Sequence, residues 1–389
     1  MTRALPPLPR PADLNPAQGT STDFVSPRNE GEKIFVATQW QLMWWKFRAH
    51  KVGFASLTIL GLIVLAALFA PFLTPADPWK TSALVYAPPM KVHFFDNGQL
   101  QRPFVYGVKQ VVDPVALSRT YGEDTSVVQP IRFFVRGAKY KLLWLFETDV
   151  RLFGLDSGKP IFLLGADSLG RDFLSRAITA SQISLSIGLV GVFITFFMAC
   201  GIGGVAGYYG GVTDNLLQRF MEFVTSIPTL PMIMALSAAI PLDWPQLRTY
   251  FVITVILALR SWTGLSRVVR SKLIQLREEE YILAAKVAGT RDWKIIVTHL
   301  LPGFTSVLIV QLTLAIPAMI LWETALSFVG LGLRPPTVSW GVLLQDAQNI
   351  GSIASRPWLM FPALHLIVTV VAFNFVGDAL RDAADPYND

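Results

Sequence analysis

Five stretches of the chain, residues 52–76, 177–213, 223–242, 303–322 and 357–377, contain no Asp, Glu, Lys or Arg, and all are at least twenty residues long. A helix needs about 20 mainly apolar residues to cross the hydrocarbon core of a bilayer. The pattern therefore predicts membrane helices at 53–73, about 184–207, about 223–240, about 304–326 and about 358–377. A further helix is expected from Thr249 to Ser266, where Arg260 interrupts the apolar run. A charge is accepted there only near a helix end, where the side chain reaches the interface, so Arg260 is placed toward the cytoplasm.

Charge between the apolar runs sets their direction. Lys46, Arg48 and Lys51 abut the first run, and the segment from Arg260 to Pro302 carries eight Lys or Arg, against three in 241–248 and 331–357 together. Positive residues stay on the cytoplasmic side. Residues 1–52 are thus expected to be cytoplasmic, 53–73 the first crossing, 74–175 an extracytoplasmic domain, and 176–389 a core with crossings two to six and a cytoplasmic C-terminus. The first fifty residues lack the pattern of a signal peptide. Within 74–175 the most apolar piece, Leu142–Phe146, is too short to span. Branched and aromatic segments at Ile131–Val135 and Lys141–Phe146 predict a small mixed domain with short strands. The fold class expected is an all-α membrane protein of six transmembrane helices, with this domain between helices 1 and 2.

Composition agrees: 52% of residues are hydrophobic and 15% charged, where a soluble domain has about 25% charged residues. A soluble enzyme is excluded. The net charge is +6, but the basic residues lie in loops beside the spans rather than in a patch for nucleic acid. The single cysteine, Cys200, lies within a predicted span and reads as a small packing residue. Ala199, Gly203, Gly207 and Gly211 recur every fourth position, a spacing that lets helix backbones approach closely, read as packing within the bundle.

The most informative segment lies between crossings four and five. Residues 278–302 read EEEYILAAKVAGTRDWKIIVTHLLP, followed by Gly303. Glu278, Glu279 and Glu280 favour a helix start, Ala284, Ala285 and Ala288 give a small-residue face, Gly289 can end that helix, and a second short helix is expected from Asp292 to Leu301. A hairpin with a small, smooth face suits a cleft on another protein. An amphipathic helix lying in the membrane interface fits the periodicity equally well.

Ala284, Ala285, Gly289 and Pro302 stand at the spacing of the coupling-loop signature of bacterial ABC importer permeases, with Leu283 and His299 replacing its Glu and Ile. Glu280–Tyr281 and Leu301–Pro302 resemble the peptide-importer branch. Before crossing two, Leu164–Ile178 (LGADSLGRDFLSRAI) is similar to a second motif of that family, through Asp167, Gly170, Arg171 and Asp172. Ala206–Gly211, Asp214, Arg219, Leu326–Gly332, Pro335, Pro336, Ser339–Gly341, Arg381–Asp382 and Asp385–Pro386 continue the series. The chain thus resembles the transmembrane subunits of oligopeptide, dipeptide and nickel ABC importers, of the C type. The resemblance implies the type I importer permease fold in a bacterial inner membrane and a substrate path for peptides or similar small solutes. It further implies four kinds of partner: a second homologous permease, cytoplasmic ABC ATPase subunits, an extracytoplasmic solute-binding protein and membrane lipid.

The residues offer no catalytic chemistry of their own. A phosphate-binding loop needs Gly, four residues, Gly-Lys and Ser or Thr; Gly154–Pro160 (GLDSGKP) is one residue short and ends in Pro160. No cofactor is expected on this chain, and ATP and Mg²⁺ are assigned to partner subunits. His50, His93, His299 and His365 match no metal spacing. Polar residues inside spans are costly and face the bundle interior. This makes Gln311, Glu323 and Asn374 candidates for the path or its gate, with pore lining and an interhelical tie both open for Glu323. Arg219 and Glu222, three apart, read as an interfacial ion pair. Pro228, Pro231 and Pro317 break or kink their helices, as hinges or as static bends. A gradient-driven carrier or channel is the alternative, although no internal repeat is evident.

Overall fold

The computed structural model describes residues 38–96, 99–112, 119–143, 145–155 and 161–384. Residues 1–37, most of the GLDSGKP segment and the Asp385–Pro386 match lie outside them.

The first described element is α1 (Gln39–Ala49), within the segment expected to be cytoplasmic. Its start is held by a reciprocal cap: Gln41 N–H donates to Thr38 Oγ1 at 3.4 Å and Thr38 N–H to Gln41 Oε1 at 2.9 Å. Trp40, Trp44 and Trp45 are exposed on it, as in an interfacial aromatic belt. α2 (Lys51–Leu68) follows, then the short α3 (Ala70–Leu73).

The segment after α3 folds into one antiparallel meander: β1 (His93–Asp96), β2 (Gln99–Val112), β3 (Arg119–Leu142) and β4 (Phe146–Leu155). These strands are longer than expected. The first half of β3 pairs with β2 (Val105 opposite Gln129) and the second with β4 (Phe133 opposite Phe153), so two hairpins share one 24-residue strand end to end. Of the expected strand segment Lys141–Phe146, Lys141 and Leu142 end β3 and Phe146 begins β4, so the two ends of the segment lie on neighbouring strands. Arg151, buried on β4, ties the sheet to the end of α3 by donating to Thr74 O, Thr74 Oγ1 and Ala76 O at 3.0, 2.7 and 2.9 Å.

α4 (Phe173–Tyr209) has 37 residues, a length of about 55 Å at 1.5 Å per residue. It is the central strut. α7 (Gln246–Leu276) runs parallel to it, from the Tyr250–Ser186 hydrogen bond to the close approach of Gly207 and Arg270. Between them, α5 (Gly211–Ser226) and α6 (Thr229–Ala238) form a pair bent by 80° at Ile227–Pro228. α6, with ten residues, is too short to cross alone, so the straight helix expected over about 223–240 is replaced by two helices that meet at this bend. Among the described residues five helices are long and apolar enough to cross a membrane, and up to six if the bent pair counts as one span.

After α7 come α8 (Glu280–Val287) and α9 (Asp292–Lys294), then a π-helical turn over Ile295–Leu300, a 3₁₀ turn over Leu301–Phe304, and α10 (Thr305–Phe328). The expected second short helix is therefore not separate. The winding changes at Pro302, which lacks an N–H, and the chain stays helical into the span. α11 (Trp340–Leu344), α12 (Ile350–Ser355) and α13 (Phe361–Ala384) complete the fold.

Three apolar clusters lie along α4. One surrounds Phe173, Ala177, Trp340 and Leu359; the next Ile187, Ile253, Leu257 and Met319; the last Ala199, Val269, Ile282, Ile295, Leu300 and Phe304. Gly203 and Gly207 press their backbones onto α7, where a Cβ at 207 would come 2.7 Å from Arg270 O. Gly211 lies beyond the end of α4 with open space around it, outside this packing stripe.

Candidate functional site

The 278–302 loop sits against the far end of α4. Ile282 is fully buried and Ala285 half-buried in the last apolar cluster, together with Ile295, Leu300 and Leu301. Two polar ties fix the loop: Tyr208 Oη donates to Asp292 Oδ1 at 2.7 Å, and Lys286 Nζ stands 4.9 Å from the Tyr208 ring centroid. Arg277 Nη1 donates to Gly207 O and Tyr208 O at 3.3 and 3.4 Å. With its inner face anchored, the loop presents Tyr281, Leu283, Val287, Trp293 and Val297 outward. Glu280 begins α8, and Ala284 and Pro302 are exposed. A Cβ at Gly303 would lie 3.8 Å from the Tyr281 hydroxyl. Gly289 has φ +75°, a conformation glycine adopts at little cost, and open space beside it. It turns the chain between α8 and α9.

At the opposite end of α4 the 164–176 motif folds into a buried charged turn. Asp167 accepts from the N–H groups of Leu169 and Arg171 (both 2.9 Å) and from Arg171 Nε at 2.7 Å, and its Oδ2 stands 3.1 Å from Arg176 Nε. Gly170 has φ +69°, and the spot a Cβ would fill is taken by Ser82 O. Asp172 caps α4 by accepting from Ser175 N–H at 2.8 Å, and burial pushes its carboxyl up to about 7. Ser168 Oγ donates to Asp346 Oδ2 at 3.2 Å, and burial, then the charge of Asp167, raises Asp346. Charges taken out of water are kept only where well paired; here they lock the start of α4 to the 76–90 segment and the loop before α12.

The segment 199–387 matches the family described as binding-protein-dependent transport system inner membrane component, and 38–89 the N-terminal transmembrane domain of oligopeptide transport permease C. The dipeptide transport system permease protein DppC of Bacillus subtilis is 40% identical over 224 residues, covering 57% of this chain and 68% of that protein. The oligopeptide transport system permease protein OppC of Haemophilus influenzae is 38% identical over 57% and 69% of the two chains. The OppC of Bacillus subtilis is 27% identical over 89% of both.

The chain belongs to this family of importer permeases. It is a C-type subunit, a non-enzymatic membrane component of an ABC importer whose ATP hydrolysis lies in separate subunits, and this decides against the gradient-driven alternative. Among solved structures, the inward-facing MetNI methionine ABC transporter aligns with a TM-score of 0.42 at 17% identity, over 54% of the permease and 97% of that chain.

The intramembrane polar candidates of the permease separate by exposure. Glu323 is fully buried. It accepts from Ser327 Oγ at 2.8 Å and from Ser184 Oγ and Thr324 Oγ1 at 3.5 Å, and Ser184 Oγ in turn accepts from Trp340 N–H at 3.1 Å. Glu323 thereby links α10 to α4 and, through Ser184, to α11. Gln311 and Asn374 are exposed on α10 and α13. Arg260 is not near a helix end. It lies midway along α7, and its Nε donates to Thr229 Oγ1 at 2.7 Å, beside the break between α5 and α6. Arg219 and Glu222 pair at 2.8 Å on the surface. Asp214 and Arg270, a bidentate pair at 2.5 Å, were not foreseen as partners, because they are 56 residues apart. Among the described residues no group of three or more His, Cys, Asp or Glu could hold a metal.

Proposed function

We propose that the exposed face of the 278–302 loop receives the ATPase subunits, and that Glu280, Tyr281, Ala284, Ala285, Gly289, Leu301 and Pro302 carry their motion into the bundle. The observation that supports this reading is the single 37-residue strut α4. The sheet and the charged turn stand at its start, and the loop is bonded to its last turn through Tyr208 and Asp292. Push and response are thus joined by one rigid element about 55 Å long. In this reading both termini are cytoplasmic, the α5–α6 pair is the third of six crossings in a type I arrangement, and residues 74–175 lie outside.

A second homologous permease completes the path, with Gln311 and Asn374 facing it, since an exposed amide in a span needs protein or water rather than lipid. Peptides are the cargo, as the names of the relatives suggest, delivered by a solute-binding protein. The groove between the sheet and the core, where the Arg356 guanidinium stacks 3.8 Å from the Tyr86 ring centroid and Arg119 lies nearby, offers positive charge to acidic groups of that protein. ATP and Mg²⁺ stay on the partners, and nucleotide shifts the bundle only as far as it favours one state.

Replacing Gly289 with tryptophan tests the loop. Insertion and co-purification of a second permease are expected to be normal, and peptide uptake by cells to fall at least about tenfold, the effect of roughly 1.4 kcal/mol of lost coupling. Uptake at the wild-type rate would remove the loop from the coupling path.

A further inference from the structure

The exposed apolar residues Leu62 and Leu65 on α2 and Phe69 at the α2–α3 junction follow one another at helical spacing, and Phe72 on α3 comes three residues later. This is an exposed apolar stripe on a helix long and apolar enough to cross a membrane. It does not stop where the helix stops: the Phe72 ring lies 6.4 Å, centroid to centroid, from the ring of Phe134 on β3. Phe133 and Phe134 are 66 and 67% exposed. Phe134 has φ +56°, well outside the extended region and costly for a bulky residue, so the regular alternation of strand side chains is interrupted at this point. Arg136 and Lys139, both exposed, follow on the same strand.

We infer that Phe133 and Phe134 insert into the headgroup–acyl boundary of the bilayer, so that the β3–β4 hairpin rests on the membrane beside the first span instead of standing free in water. The partner is a lipid surface because the patch is continuous with one already in place. Two aromatic rings followed by cationic side chains are the chemistry that such a boundary takes: the rings reach the acyl region while Arg136 and Lys139 reach the phosphates. The β1–β2 end of the sheet has exposed apolar residues as well, Phe95 and Leu100 among them, but no such ring contact with the span.

The test uses the full chain with Cys200→Ala, purified with its co-purifying subunits into nanodiscs of phosphatidylethanolamine and phosphatidylglycerol. An environment-sensitive fluorophore is attached to F133C, F134C, R136C or L100C. Lipids carrying a quencher at the headgroup–acyl boundary are expected to remove roughly half of the emission at 133, 134 and 136 and none at 100. Since a cysteine replaces part of the patch in the first two, R136C keeps both phenylalanines; adding Phe133→Ser and Phe134→Ser to it should abolish most of its quenching. Water-like, unquenched emission at all positions would overturn the proposal. So would emission shielded from water yet untouched by lipid quencher, which would assign the patch to a protein partner.

Discussion

The carboxyl of Asp172 is fully buried at the head of α4, where one oxygen caps the helix through Ser175 N–H and the other has no partner. Burial raises it from 3.8 to about 7, so its protonated form is favoured by folding. The stability tied to it is complete below about pH 4 and is lost as pH rises through 7, by an amount on the order of a few kcal/mol. Asparagine caps equally well and carries no charge. Asp172→Asn should therefore unfold at a lower temperature than wild type at no pH above 7, and its advantage should grow from pH 5 to pH 8, read by intrinsic tryptophan fluorescence during heating in detergent. Parallel pH profiles would refute this assignment. The residue type and spacing of this motif are legible in the sequence, but its burial is not, because it depends on Ser82 and Asp346, distant in the chain. Glu323 teaches the same lesson: its place in an apolar run marks it as unusual, while only the fold brings Ser184 and Ser327 to its carboxyl.

At the scale of elements, α4 and α7 pack backbone to backbone through Gly203 and Gly207, and close glycine contacts leave no room for a side chain. Gly207→Leu should cost at least about 1–3 kcal/mol, since the overpacked helices must part. At Gly201 nothing lies within 4 Å of the Cβ position, so Gly201→Ala should be neutral or stabilising by about 0.5–1 kcal/mol. Thermal unfolding of both variants in one detergent checks the pair, and equal effects would show that the α4–α7 contact does not control stability. Helix existence is legible from hydropathy. Helix ends are less so: the bend at Ile227–Pro228 and the winding change at Pro302 both arise where proline removes a donor, but whether the chain then bends by 80° or runs on is decided by what packs beside it.

At the scale of the whole molecule, the sheet and the 278–302 loop stand at opposite ends of α4, which makes sidedness a single measurement. With Cys200 removed, a cysteine at exposed Leu100 should react with a membrane-impermeant maleimide on intact cells, and one at exposed Val287 only after permeabilisation; labelling of Val287→Cys from outside would reverse the orientation. The chain by itself determined that this is a membrane protein, roughly where it crosses, and which family it joins. Hydropathy and motif spacing are local properties that survive without a fold. The tertiary structure alone decided that one strand serves two hairpins, that Asp214 meets Arg270, that Arg260 meets Thr229 beside the α5–α6 bend, and that the Phe72 ring meets Phe134. Each of these joins residues far apart in the chain, and their pairing energies exist only once packing has brought them within a few ångströms.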